Sequence, residues 1–189
     1  MRVTRAHPEQ RLRAKLERWR LPVFPRVRAS RAALVVPRLR KLVPPKVLAA
    51  VLRTWFNGWC TRRRFQARGR CLFGCRMGAD AVDHYIECSR LHQQGLRQLR
   101  LPIPADFAAR GALFLLLAAP SQLPDEALAR RALLLSAAYR LHCAHRRRPP
   151  IEDEETLRRA LAQALKESAR GHARATRSLD SVWSATPQV

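Results

Sequence analysis

The sequence predicts a mostly α-helical protein, and three observations predict it. Apolar residues make up 47% of the 189 residues but aromatics only 6%, so Ala and Leu carry the hydrophobic content and favour helix over strand. Seven Gly against thirteen Pro suits helices separated by proline breaks. Apolar residues also recur at helical spacing in several windows. A chain of this length holds one domain, or one domain with tails. The expected organisation is a basic, partly disordered N-terminal region (1–43) and a helix with a cysteine-rich loop (44–100). A bundle of three helices (101–170) and a flexible tail (171–189) follow.

Residues 1 to about 30 alternate basic and apolar residues, with prolines at 8, 22 and 25. That pattern allows one short amphipathic helix over Glu9–Arg20 and otherwise disorder without a partner. Pro44 and Pro45 open a stronger helix, because proline suits a first turn. Val47, Leu48, Val51, Leu52 and Trp55 form its apolar stripe, and Asn57-Gly58 ends it. Beyond the cysteines, one helix is expected over Ala105–Ala119, between two prolines. A second is expected over Asp125–Arg147 and a third from Glu152 to about Arg170. The last two open on acidic residues and close on basic ones, which suits the helix dipole. There is no internal repeat, and the tail from Gly171 shows no clear period.

Charge narrows the partners. The chain has 37 Lys+Arg against 14 Asp+Glu, a formal +23, and residues 1–70 hold 20 basic and 2 acidic residues. Such a surface attracts phosphates through counterion release, so RNA or DNA is the expected partner. Arginine greatly outnumbers lysine, and its planar fork suits phosphate. No run approaches the roughly 18 apolar residues of a membrane span. The N-terminus has no apolar core of a secretory signal, so a nuclear or cytoplasmic location is expected. Its Arg-rich, acid-poor character leaves a mitochondrial one open. In such compartments cysteines stay reduced, and clustered ones read as metal ligands before disulfides.

The cluster is CLFGCRMGADAVDHYIEC, spaced C-x3-C-x8-H-x3-C from Cys71 to Cys88. A turn at Gly74 can aim Cys71 and Cys75 at one point. His84 and Cys88 lie four apart, on one face of a helix that Asp80 is placed to cap. Three thiols and an imidazole make a full tetrahedral set for one Zn2+, with no position left for water, as in structural rather than catalytic sites. Arg70, Arg76 and Arg90 flank it and favour the thiolates. Cys60, Cys143, His142 and His145 fall outside, the two cysteines being expected as small buried or half-buried residues. His92 is a weaker substitute ligand. Arg62, Arg63, Arg64, Arg68 and Arg70 directly precede the cluster and are the expected phosphate contacts. Trp55, Trp59 and Phe65 are expected mainly as core, with Phe65 or Trp59 able instead to stack on an unpaired base.

Trp59, Thr61, Arg64-Phe65, CLFGC (71–75) and DAVDHYIEC (80–88) together resemble the zinc-binding domain downstream of the reverse transcriptase in non-LTR retrotransposon polyproteins. The likeness covers about Val51 to Leu91. It implies a nucleic-acid-associated module that helps a retroelement enzyme hold template or target. The chain has no Asp-Asp, no G-x-x-x-x-G-K, no H-E-x-x-H and no nucleophile elbow. It therefore looks like a detached carboxy-terminal part without the polymerase palm, and no enzymatic activity is expected. Two rivals remain. The Ala/Leu-rich helices after residue 104 can dock a protein partner. Thiol redox chemistry would leave His84 and Cys88 idle and lacks the C-x-x-C spacing.

Overall fold

Leucine and alanine surround the segment Asp125–His145 on nearly every side, and a helix apolar all round must lie inside the protein. The computed structural model puts it there; residues 8–18, 25–76 and 78–184 are described. The order is α1 (Pro8–Arg18), α2 (Pro25–Leu42), α3 (Pro45–Trp55), α4 (Val82–Glu87), α5 (Ser89–Gln98), α6 (Phe107–Phe114), α7 (Asp125–His145), α8 (Glu154–Ala169) and α9 (Ala173–Ser184). Helix α7 packs against α2, α3, α5, α6, α8 and α9. Ala132, Leu133, Leu134 and Leu135, successive positions that point to all sides of the helix, are all fully buried. The mostly helical class is what the composition predicts, and no β-strand occurs among the described residues.

The boundaries of α3, α7 and α8 follow their punctuation. Pro45 opens α3, and Asn57 takes a left-handed φ of 56° just past its end. Asp153 caps α8 by accepting from the Thr156 N–H at 2.6 Å. Helix α6 is shorter than the Ala105–Ala119 expectation. Leu116 turns left-handed at φ 62°, and the Leu117 N–H reaches back to the Ala112 carbonyl at 2.8 Å, a C-terminal wrap that stops the helix.

Two expectations are corrected. Helix α1 agrees with the short amphipathic helix expected over Glu9–Arg20, but α2 makes residues 25–42 helical where no helix was expected; the expected disorder of residues 1–7 and 19–24 lies outside the described residues. Pro37 stands within α2, and an internal proline normally argues against a helix. Burial of Ala29, Val35, Leu39 and Leu42 offsets that cost, and the Arg38 guanidinium donates to the Leu123 carbonyl at 2.7 Å and to Asp125. The tail is not wholly loose either. Helix α9 buries Ala175, Leu179 and Val182 at helical spacing, against α7 and α8. Residues 185–189 lie outside the description.

One arrangement positions the site. Trp59 is fully buried, its indole N–H donating to the Thr54 hydroxyl at 2.9 Å. Its ring meets Tyr85 at 5.4 Å, Tyr139 at 5.5 Å and His142 at 5.1 Å between centroids. The cysteine loop is thereby seated on α7 through aromatic contacts.

Candidate metal centre

The loop from Arg70 to Ala79 is a tight hairpin-like turn. Arg70 and Ala79 form an isolated antiparallel bridge, and the Cys71 N–H donates to the Gly78 carbonyl at 2.7 Å. Gly74, at φ 76°, donates back to the Cys71 carbonyl at 3.1 Å. Glycine is required there twice over. The left-handed backbone disfavours a side chain, and a Cβ would sit 2.2 Å from the Ile151 carbonyl oxygen.

Three of the four expected ligands come together. One ligand atom from each of Cys71, His84 and Cys88 lies within 4.8 Å of the others, a group able to hold a metal ion. The Cys71 and Cys88 sulphurs are 3.8 Å apart. Two thiolates about 2.3 Å from one ion, at a tetrahedral angle, are separated by about 3.8 Å. His84 Nε2 is buried and has no hydrogen-bond partner among the described residues, as a nitrogen kept for a metal would be. Cys75 is half-buried beside the group, its thiol outside that 4.8 Å set. It lines the adjoining cleft with Cys71, Gly74 and the arginines 70, 76 and 90.

The helix expected to carry His84 and Cys88 is interrupted. Helix α4 ends at Glu87, and Cys88 sits at the break before α5, at φ −57° and ψ 107°. Ala81, not Asp80, occupies the cap position, without a side-chain cap bond. The convergence survives because His84 is still within one turn of the break.

The electrostatics suit a cation. A hydrogen bond from Cys88 holds the Cys71 thiol below its ordinary range against burial, helped by His84 and the Cys75 backbone. Cys88 is pushed up by that same bond, by burial and by the charge on Cys71. Two sulphurs that compete for one proton are relieved when a metal replaces it.

Gly78 is the floor under the His84 ring: a Cβ there would lie 2.0 Å from both Cε1 and Nε2. Gly78→Ala is therefore expected to displace the imidazole and weaken metal affinity roughly 10–100-fold, the range for disturbing a ligand's support. Competitive chelator titration measures it, and unchanged affinity would refute the role given to Gly78.

Asp80 has a different function from the expected one. It is buried, and one carboxylate oxygen accepts from the Tyr85 hydroxyl at 2.6 Å and from His142 Nε2 at 3.2 Å. The other accepts from the Arg62 backbone N–H at 2.9 Å. Burial alone raises its pKa, but the bonds from His142, Tyr85 and Arg62 outweigh it and hold the carboxyl below the ordinary range. Asp80 thus ties the arginine loop, α4 and α7 together. His142, placed outside the cysteine cluster by the sequence, is its partner. The pairing joins residues far apart in sequence, which no local pattern marks.

The five arginines expected to meet phosphate are all exposed. Arg63 pairs with Asp83, and Arg70 pairs with Glu152 at 3.0 Å. Arg64 donates to the Asn57 carbonyl at 3.1 Å. Phe65, expected mainly as core, is 66% exposed on the same turn, whereas Trp55 and Trp59 are buried. His92 is buried outside the cluster, its Nε2 2.9 Å from the Ile86 carbonyl, and burial lowers its pKa to about 3. Cys60 is half-buried, but Cys143 is exposed, contrary to expectation.

Among the described residues no helix is long and apolar enough to cross a membrane. Comparison of the chain with protein-family models, with curated proteins and with solved structures finds no match.

Proposed function

We propose that this protein is a non-enzymatic nucleic-acid-binding module stabilised by one structural zinc ion. It is of the kind found downstream of the reverse transcriptase in non-LTR retrotransposon polyproteins. The observation that carries the reading is that the exposed arginine turn, Arg62 to Arg70, is tied by Asp80 to the same hairpin that gathers Cys71, His84 and Cys88. The metal shapes the loop, and the loop presents the arginines. Zinc suits a sulphur-rich set with this sulphur separation, and Cys75 supplies the fourth ligand by a side-chain movement. Phe65, exposed among the arginines, is placed to stack on an unpaired base.

The purified protein is expected to contain one zinc per chain and to retain single-stranded RNA or DNA on a filter with little sequence preference. Five phosphate contacts on a single strand give a log–log salt slope of about −3.5. Raising salt from about 50 to about 200 mM should therefore weaken binding roughly 100-fold. Binding that is absent, or indifferent to salt, would count against the reading. The rival, a protein-docking face after residue 104, has less support. The large exposed hydrophobics among the described residues are Leu34, Phe56, Phe65 and Ile103, none of them in α6 to α9.

A further inference from the structure

We infer that the connection between α7 and α8 forms the second wall of a phosphate-binding cleft, in which Arg148 faces Arg62, Arg68 and Arg70 and takes a nucleic-acid backbone. This rests on the nucleic-acid reading above and adds a residue and a site to it. The cleft has a volume of about 440 Å³, and these four arginines line it with Leu72 and Pro150.

Three hydrogen bonds bring its walls together, one between backbones and two from the Arg90 side chain. The Ile151 N–H donates to the Leu72 carbonyl at 2.9 Å. Arg90 bridges the two segments, donating to the Gly74 carbonyl at 2.9 Å and to the Glu152 carbonyl. The close approach of Ile151 to Gly74, which leaves no room for a Cβ, fixes the register. Arg148 is thus delivered to the cleft by contacts to the cysteine hairpin. On the opposite wall, a Cβ on Gly69 would lie 2.3 Å from Arg62 Cδ, so the Arg62 stem lies directly across the Gly69 backbone.

The charge balance points to an anionic ligand. Among the described residues no carboxylate pairs with Arg62, Arg68 or Arg148, and the pair between Arg70 and Glu152 is exposed on both sides. Guanidinium groups gathered around one cleft repel each other until a counter-charge enters. A phosphodiester supplies it with oxygens that accept from several arginines at once. Arg147, on the same turn, is exposed but does not line the cleft, which makes it the matched control.

The test is fluorescence anisotropy on the full zinc-loaded chain, with a labelled single-stranded RNA, the same sequence as DNA, and inorganic phosphate as competitor. R148E is expected to weaken binding of the strand roughly tenfold or more and to reduce the salt slope by about one or more, while R147E changes affinity less than about threefold. Metal content and the helical circular-dichroism signal, measured on both variants, show that each is folded. R148A, which removes the contact without reversing charge, should fall between R148E and the wild type. Equal losses in R148E and R147E would mean that net charge alone acts, overturning the cleft and leaving the nucleic-acid reading intact. Inorganic phosphate, at an ionic strength where chloride does not displace the strands, is expected to compete with both in the wild type and less in R148E; competition unchanged in R148E would also overturn the cleft. A wild-type protein that binds neither strand would overturn the reading on which the cleft rests. RNA and DNA bound alike fit a backbone contact, whereas a DNA or RNA preference lost in R148E would refute it.

Discussion

Serine in place of Cys88 is expected to remove the bound metal and unfold the loop between Trp59 and Leu91. A structural zinc site contributes roughly 10–16 kcal/mol of apparent folding free energy, comparable to the whole stability of a domain. Cys88 is buried at the break between α4 and α5, 3.8 Å from Cys71, so its loss removes one ligand and unsettles the other. Phe73 packs on Tyr85, and Tyr85 and Trp59 pack on each other and on His142 of α7, so the melted loop also uncovers one side of the central helix. Helices α7 and α8 should keep their helicity, because their leucines bury one another. The expected result is near-zero metal, loss of hydrogen-exchange protection over the loop, and a thermal midpoint lower by more than about 10 °C. Cys143→Ser, at an exposed cysteine, should change none of these. A C88S protein with one tightly held metal and a protected loop would remove the premise of the proposed function.

The second large effect is expected at Asp80. Asp80→Ala leaves the Tyr85 hydroxyl, the His142 imidazole and the Arg62 N–H without their shared acceptor, at a cost of about 3–5 kcal/mol. Asp80→Asn keeps the shape but loses the charge, and should fall between. The pair also sets a pH window. Asp80 is depressed, so its contribution is present above its ordinary value of 3.8 and is lost as pH falls through the lower folded value. For His142, burial lowers the pKa, but the bonds to Asp80 and Cys143 outweigh it and raise it. Its contribution is therefore complete below the ordinary value of 6.5 and is lost as pH rises through the folded value. Between about 4 and about 6.5 both are in force. Other groups facing the pair are Tyr85, whose hydroxyl burial keeps protonated, the Cys143 thiol and the Trp59 ring. Urea unfolding at about pH 5.5 and about pH 8 should show the difference between wild type and Asp80→Asn shrinking at the higher pH. A difference that stays constant would show that His142 is not charged in the folded protein.

The cysteine–histidine group was largely legible because its members are local. Four candidates fall within the eighteen residues from Cys71 to Cys88, and chain geometry at that range leaves few ways to place them. Cys71, His84 and Cys88 meet; Cys75 stands at the edge of their group. The continuous helix expected through His84 and Cys88 is broken in the fold; a four-residue spacing looks the same whether or not the backbone breaks at its end. Helix α2 was hidden by Pro37, whose local penalty burial of the surrounding leucines and valines overrides. The signal for α9 was present in Ala175, Leu179 and Val182, but short stripes of small residues are weak against a polar background.

Composition and spacing alone determined the helical class, the extents of α3, α7 and α8 to within a few residues, the cysteine–histidine cluster and the basic turn before it. All of these depend on neighbours along the chain. Only the tertiary structure decided that α7 is the centre, that Asp80 answers to His142, and that Arg148 stands opposite Arg62. Those pairings are set by which buried faces meet, a matter of shape between distant segments that no periodicity along the chain records.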